Sequence, residues 1–138
     1  MEPIEWIKSG EQVIAVIIRR TISPNETTFI TPDQFNQQVG FIVYPAGGQI
    51  PPHKHKAIER QIVGTAETLI VQRGKMEVQL YDDHRRLLTK RQLVEGDILV
   101  LVSGGHGFSM LEDTVLLEIK QGPYTGLAEK EHFDDPGK

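Results

Sequence analysis

Cysteine is absent from the 138 residues of this chain. Its absence excludes disulfide bonds and thiol chemistry, and it leaves no thiolate ligand for a metal ion. No apolar run approaches the roughly 20 residues that a membrane span requires. The acidic N-terminal residues contain no signal-peptide core. We therefore expect a cytoplasmic protein with no membrane partner.

A basic patch with interleaved aromatic side chains is also lacking. The net charge is −4 and the isoelectric point is about 5.7, so no nucleic-acid partner is expected. The apolar residues make up 38% of the chain, and thirteen glycines come in addition. This is an ordinary globular composition. The length predicts a single domain, residues 1–138.

Long stretches with helical periodicity are missing as well, and short apolar runs separated by Gly and Pro take their place. Runs of this kind are typical of antiparallel sandwiches and barrels. The sequence therefore predicts an all-β fold with little helix, in which a helical turn is expected only near residues 129–133. Predicted strands span residues 11–20, 27–31, 39–44, 67–72, 75–81, 87–93, 98–102 and 114–120. Residues 67–72 and 75–81 read as a hairpin joined through Arg73 and Gly74.

His53 and His55 are the first candidate ligands for a metal ion. Pro51 and Pro52 precede them, and prolines favour an extended backbone. Side chains two residues apart on an extended strand point to the same face. Two imidazoles would then point to one position. The alternative interpretation is a surface pair on a polar strand.

Further residues at fixed distances extend this pattern. Five residues separate Gly47 from His53, and six separate Glu67 from Gly74. Gly96 then begins a second pattern that ends in Gly105 and His106. In this arrangement the chain resembles the cupin superfamily, with motif 1 at about residues 47–74 and motif 2 at about residues 96–106.

The resemblance implies a jelly-roll barrel that binds one metal ion. By position in the motifs, the ligands would be His53, His55, Glu67 and His106. The chain departs from the family pattern in the eleven residues between His55 and Glu67, where the family has three or four. Glu59 is the alternative ligand at the usual distance. We favour Glu67 because it begins an apolar strand, where a buried carboxylate needs a partner or a metal.

Three imidazoles and a carboxylate would suit a divalent Fe, Mn, Ni, Cu or Zn ion, and they do not distinguish among these. Open coordination positions indicate a catalytic rather than a structural site. The resemblance thus implies a small-molecule enzyme, either a dioxygenase or an isomerase. Two alternatives stay open. One is a metal-bearing binding or sensor protein without turnover. The other is a metal-free sugar-nucleotide isomerase or epimerase.

Four further residues are candidates for binding the small-molecule ligand: Glu59, Arg60, Lys120 and Tyr124. Ordinary surface contacts are the alternative for each. Asp97, after Gly96, is predicted to bond backbone amides in a turn. We also expect a homodimer, as in many cupins, with the apolar residues 13–18 as the edge strand that a partner would cover.

Overall fold

A computed structural model describes residues 2–134, with the backbone alone for Leu127. Over these residues the fold is all-β, with antiparallel sheets and one short 3₁₀ helix, Gly126–Glu129. Within residues 2–134, no helix has the length and apolarity that crossing a membrane requires. The chain divides into two compact units. Unit 1 comprises Met1–Ile22 with Gly64–Lys138, and unit 2 comprises Ser23–Val63.

Unit 1 contains a five-stranded sheet and a three-stranded sheet. In chain order its strands are β1 (Ile4–Ser9), β2 (Gln12–Ile18), β5 (Glu67–Arg73), β6 (Lys75–Tyr81), β7 (Leu87–Val94), β8 (Ile98–Leu101), β9 (Gly105–Met110) and β10 (Val115–Lys120). The strands of the five-stranded sheet lie in the order β1-β2-β8-β5-β10, and those of the other sheet in the order β7-β6-β9. No pairing among the described residues closes these sheets into a barrel.

The core of unit 1 lies between these two sheets. Alternate residues of β5, such as Leu69 and Val71, belong to the same buried cluster as Met76, Val78 and Leu80 of β6. This alternation follows from the period of two along a strand. Residues that continue this alternation to the ends of β5 and β6 therefore also face the space between the two sheets.

Unit 2 contains the short strands β3 (Thr28–Phe29) and β4 (Gly40–Phe41), which pair antiparallel. Both lie inside longer predicted strands, residues 27–31 and 39–44. Gly40 is needed here because a Cβ at this position would lie 2.6 Å from the Phe29 ring. Residues 44–63 form no strand, and each of them is exposed.

Two sequence predictions about strand pairing are wrong. β5 and β6 do not form a hairpin, because they belong to different sheets and the chain crosses between the sheets at Gly74. The backbone of Gly74 is left-handed, with φ of 96°, and a single residue of this kind redirects the chain instead of reversing it within one sheet. The apolar strand at residues 13–18 is not an edge, since β2 lies between β1 and β8.

Candidate functional site

Glu67 is the first residue of β5 and lies on the inward face of the five-stranded sheet. It pairs with Leu101 of β8 and with Lys120 of β10. Leu69 and Val71 follow on the same face and are buried in the core. Glu67 itself is 8% exposed. The alternation along β5 thus places the Glu67 carboxylate at the edge of the core, as the sequence pattern predicts.

His106 lies opposite, on the inward face of the three-stranded sheet. It is the second residue of β9, where it pairs with Leu80 of the core. Its side chain is 33% exposed, and the ring stacks on Phe108, with 5.5 Å between the ring centroids. The His106 Nε2 atom lies 3.7 Å from Glu67 Oε2. Two residues that are distant along the chain therefore face each other across the space between the sheets.

The separation of this Glu67–His106 pair is compatible with a shared ion. A nitrogen or oxygen ligand lies about 2.1 Å from a bound transition metal, so two donors of one ion lie at most about 4.2 Å apart. The 3.7 Å between the two atoms is below this limit. It is also longer than an ordinary hydrogen bond. The spacing of these two atoms is thus compatible with a shared divalent ion.

Some of the charges around Glu67 raise its pKa and others lower it. Burial raises the pKa of the Glu67 carboxyl, and the charge of Glu118 and a hydrogen bond with it raise this pKa further. The ammonium groups of Lys120 and Lys130 oppose the shift. Two neighbouring carboxyl groups resist ionising together, and a divalent cation would relieve this repulsion.

The environment of His106 favours the neutral imidazole. Burial is the main cause that lowers its pKa, and the nearby Lys130 lowers it further, while Glu118 acts in the opposite direction. A metal-ligating histidine must be neutral to offer a nitrogen lone pair. The lowered pKa of His106 thus favours the neutral form of the ring, which is the form that a ligand needs.

His53 and His55 lie in unit 2, in the exposed stretch without strands. Their rings are nevertheless neighbours, with centroids 5.5 Å apart in an edge-on arrangement. His53 Nδ1 lies 2.9 Å from the Pro51 carbonyl oxygen. When Nδ1 donates to this carbonyl, the proton is fixed there and Nε2 is left free as a ligand atom.

The four predicted ligands thus form two pairs, one in each unit. Glu67 and His106 meet in unit 1, and His53 and His55 meet in unit 2. Among residues 2–134, no group of three or more His, Asp or Glu side chains is placed to hold a metal ion. The metal-ligand roles stay predictions.

The predicted ligand-binding residues are dispersed along both units. Glu59 and Arg60 are exposed in the strand-free part of unit 2. Lys120 ends β10 next to Glu67, and its Nζ lies 2.8 Å from Glu129 Oε1. Tyr124 is 84% exposed. Of these four, Lys120 is the residue that unit 1 places beside the Glu67–His106 pair.

Sequence reasoning missed three charged residues near this pair: Glu118, Glu129 and Lys130. A usable signal existed for Glu118, because it is two residues before Lys120 and shares its face of the strand. No local pattern marks Glu129 and Lys130. The path of the C-terminal residues brings them towards the Glu67–His106 pair.

Comparison with known proteins adds no further identification. No protein-family model, no curated protein and no solved structure matches this chain. The resemblance to the cupins accordingly depends on the motif residues named above.

Proposed function

We propose that this protein is a cupin-like metalloprotein with a jelly-roll arrangement of strands, and that it acts as an enzyme on a small molecule. Glu67 and His106 would bind a divalent transition metal together with His53 and His55. The observation that carries the proposal is the buried Glu67 carboxylate, which faces the partly exposed His106 imidazole at 3.7 Å. A buried carboxylate is costly unless a cation or hydrogen-bond donors stabilise it.

The proposed chemistry follows from the ligand set. A divalent ion with nitrogen and oxygen ligands would supply Lewis acidity or, as Fe(II), oxygen chemistry. The residues of this chain would hold the ion and leave positions open for the oxygen atoms of a substrate. Dioxygenase and isomerase reactions both fit such a site.

Metal content is the direct test. Protein purified without chelators is expected to carry up to about one equivalent of a transition metal by elemental analysis, as a site with three or four protein ligands would. Glu67→Gln and His106→Ala should each weaken Co(II) binding by roughly 100-fold, because each removes or weakens one ligand. His84→Ala is the matched control, since His84 is exposed in the turn between β6 and β7.

Two outcomes would contradict this proposal. One is protein that binds less than about a tenth of an equivalent even after incubation with metal salts, which is far below the occupancy of a real site. The other is a pair of variants that bind Co(II) as wild type does. Circular dichroism on each variant shows whether the fold is retained.

The same pair of residues supports a second candidate, a metal-free acid–base enzyme. The His106 ring lies next to Glu67, and Glu118 is within hydrogen-bonding reach of Glu67. A carboxyl and an imidazole so placed can donate and accept protons during isomerisation or epimerisation. Folded protein that does not bind any transition metal would favour this candidate.

The proposal includes a cytoplasmic homodimer. β10 is an edge strand of the five-stranded sheet, and its outward side chains Val115, Leu117 and Ile119 are 38%, 49% and 49% exposed. Apolar side chains on an unpaired edge favour association. A monomeric mass in light scattering would remove this part of the proposal.

A further inference from the structure

The C-terminal segment, residues 121–134, follows β10 and contacts unit 1 at Ala66. The backbone N–H of Ala66 donates a hydrogen bond to Gln121 Oε1 at 2.7 Å. Ala66 is 5% exposed and directly precedes Glu67. The segment is thus attached to the start of β5, immediately beside Glu67.

A second contact is made through the neighbouring strand of the same sheet. Lys120 pairs with Glu67 across the sheet, and Lys120 Nζ lies 2.8 Å from Glu129 Oε1. Thr125 Oγ1 also donates a hydrogen bond to the Glu129 carboxylate, at 2.9 Å. The Glu129 side chain is 12% exposed, although its neighbours in sequence are exposed. The Glu129 carboxylate therefore turns towards the sheet and holds the segment beside Glu67 a second time.

A third contact lies beside His106, on the three-stranded sheet. The Phe133 ring meets the Tyr81 ring edge-on, with 5.1 Å between the centroids. A Cβ at Gly105, which directly precedes His106, would come within 2.8 Å of the Phe133 ring. The Arg85 guanidinium covers the same ring at 5.5 Å from its centroid. The far end of the segment is thus attached next to His106.

These contacts bridge the two sheets at one end of unit 1. Glu67 and His106 face each other there at 3.7 Å, and the segment runs from the neighbours of Glu67 to the neighbour of His106. The Glu67 side chain is 10% exposed, although Glu67 is the first residue of its strand. Carboxylates are rarely this buried unless they are paired. The segment is therefore in a position to cover the Glu67 carboxylate.

Few contacts hold the segment in this position. Among the side chains described in residues 121–134, all are exposed except those of Gln121, Glu129 and Phe133, and none is fully buried. The three residues that are less exposed are the ones that make the contacts. A segment with few buried apolar contacts opens locally at a low cost in free energy. It can therefore be released while the sheets of unit 1 stay folded.

We propose that residues 121–134 form a strap that closes the Glu67–His106 end of unit 1, and that a small organic molecule reaches the Glu67 carboxylate only when the strap is released. Ligand entry then depends on the opening of the strap. This closure rests on the proposed function for the identity of the site, and it adds control of access to that site.

Carboxyl footprinting measures the accessibility of Glu67. Full-length protein without metal is treated with a carbodiimide and glycine ethyl ester, which convert accessible carboxyl groups into amides, and mass spectrometry gives the rate at each residue. In wild type we expect Glu67 to react at least about tenfold more slowly than the exposed Glu112. Asp97 is the internal control, because it is 2% exposed and should stay unreactive in every folded variant.

Variants at the far end of the strap separate release of the strap from a local change at Glu67. In Phe133→Ala we expect Glu67 to react about three- to tenfold faster, because the loss of an aromatic contact raises the released fraction by about this factor. Arg85→Gln removes the cover of the Phe133 ring and the ion pair with Glu131, so it should act in the same direction. Tyr44→Ala is the matched control, since the Tyr44 ring is 51% exposed and lies in unit 2, and it should leave the Glu67 rate unchanged.

Three results would overturn the closure by the strap. They are equal rates of Glu67 and Glu112 in wild type, a Glu67 rate that neither Phe133→Ala nor Arg85→Gln changes, and the same rise in Tyr44→Ala. If the internal control shows that Phe133→Ala has lost its fold, Arg85→Gln decides.

Failure of the proposed function looks different. Co(II) should slow the labelling of Glu67 in wild type and in Phe133→Ala, because a carboxylate bound to a metal is not free to react. Labelling that Co(II) does not change would contradict the metal site, while the metal-free rates still decide the role of the strap.

Discussion

Asp97 and Glu67 are both buried carboxylates, but their neighbours differ. Asp97 accepts hydrogen bonds from the backbone N–H groups of Arg20 and Val94, at 2.8 and 2.9 Å, and from the Arg19 guanidinium at 3.3 Å. Around the Glu67 carboxylate lie the carboxylate of Glu118, the His106 ring and the ammonium groups of Lys120 and Lys130, and no backbone amide in the described residues donates a hydrogen bond to it as the amides do to Asp97. Asp97 is thus stabilised by donors, whereas Glu67 is placed where a cation would stabilise it.

This difference leads to a prediction for Asp97. Asp97→Asn should lower the free energy of unfolding by about 2–4 kcal/mol, because the charge that holds the Arg19 guanidinium and two amides is lost from a buried site. Asp97 is 2% exposed, so water cannot replace the lost bonds. Urea denaturation followed by circular dichroism measures the change.

Asp113→Asn is the matched control for this variant. Asp113 is exposed, and surface changes of this kind alter stability by within about 0.5 kcal/mol. Equal unfolding free energies for Asp97→Asn and wild type would contradict the structural role given to Asp97.

The role of Asp97 in a turn could be predicted from its place after Gly96, and its bond to the Val94 amide confirms that prediction. The bonds to Arg19 and Arg20 could not be predicted. They join residues 77 and 78 positions apart, and no local pattern shows which strand end will be adjacent to the turn.

At the scale of elements, glycines decide where strands can begin and end. Gly10 and Gly104 both have left-handed backbones, with φ of 61° and 70°. A methyl group added at Gly10 would meet no atom within 4 Å, whereas a Cβ at Gly104 would collide with the Tyr81 carbonyl oxygen. The two positions thus share one conformational cost and differ in available space.

Alanine at these two positions should separate the two effects. Gly10→Ala is expected to cost about 1 kcal/mol of unfolding free energy, the cost of a left-handed alanine. Gly104→Ala should cost at least about 3 kcal/mol, since the backbone around Tyr81 must also move. Thermal unfolding of both variants checks the order. Equal losses would show that the turn between β8 and β9 is looser than described.

Strands rich in β-branched residues could be predicted from the sequence, whereas a strand without such residues could not. β2 is buried on both faces, as the unbroken run at residues 13–18 indicates. β9 was missed because Gly-His-Gly-Phe-Ser-Met has little intrinsic strand preference. Its pairing with β6 makes it a strand, so tertiary contacts override the local sequence there.

At the scale of the whole molecule, the two units differ in their hydrogen bonding. The sheets of unit 1 satisfy their backbone groups by pairing, whereas residues 44–63 of unit 2 are exposed and form no strand. Exposed backbone without regular hydrogen bonds exchanges its amide hydrogens readily. Hydrogen exchange should therefore be uneven along the chain.

We expect amides in β2 and β8 to exchange at least roughly 100-fold more slowly than those in residues 44–63. Mass spectrometry of proteolytic fragments measures this. Co(II) should slow exchange in the fragment that contains His53 and His55, because ligation would fix its backbone. Equal protection of β2 and residues 44–63 in metal-free protein would contradict the description of unit 2.

The sequence alone determined the all-β class and the short strands, because alternation and turn residues are local properties of the chain. Its resemblance to the cupin motifs also implied four candidate ligands. Only the tertiary structure decided which strands share a sheet, that β5 and β6 separate at Gly74, and that Glu67 faces His106. Pairing partners are chosen by burial and backbone hydrogen bonding across long sequence separations, and a local pattern does not record either of these.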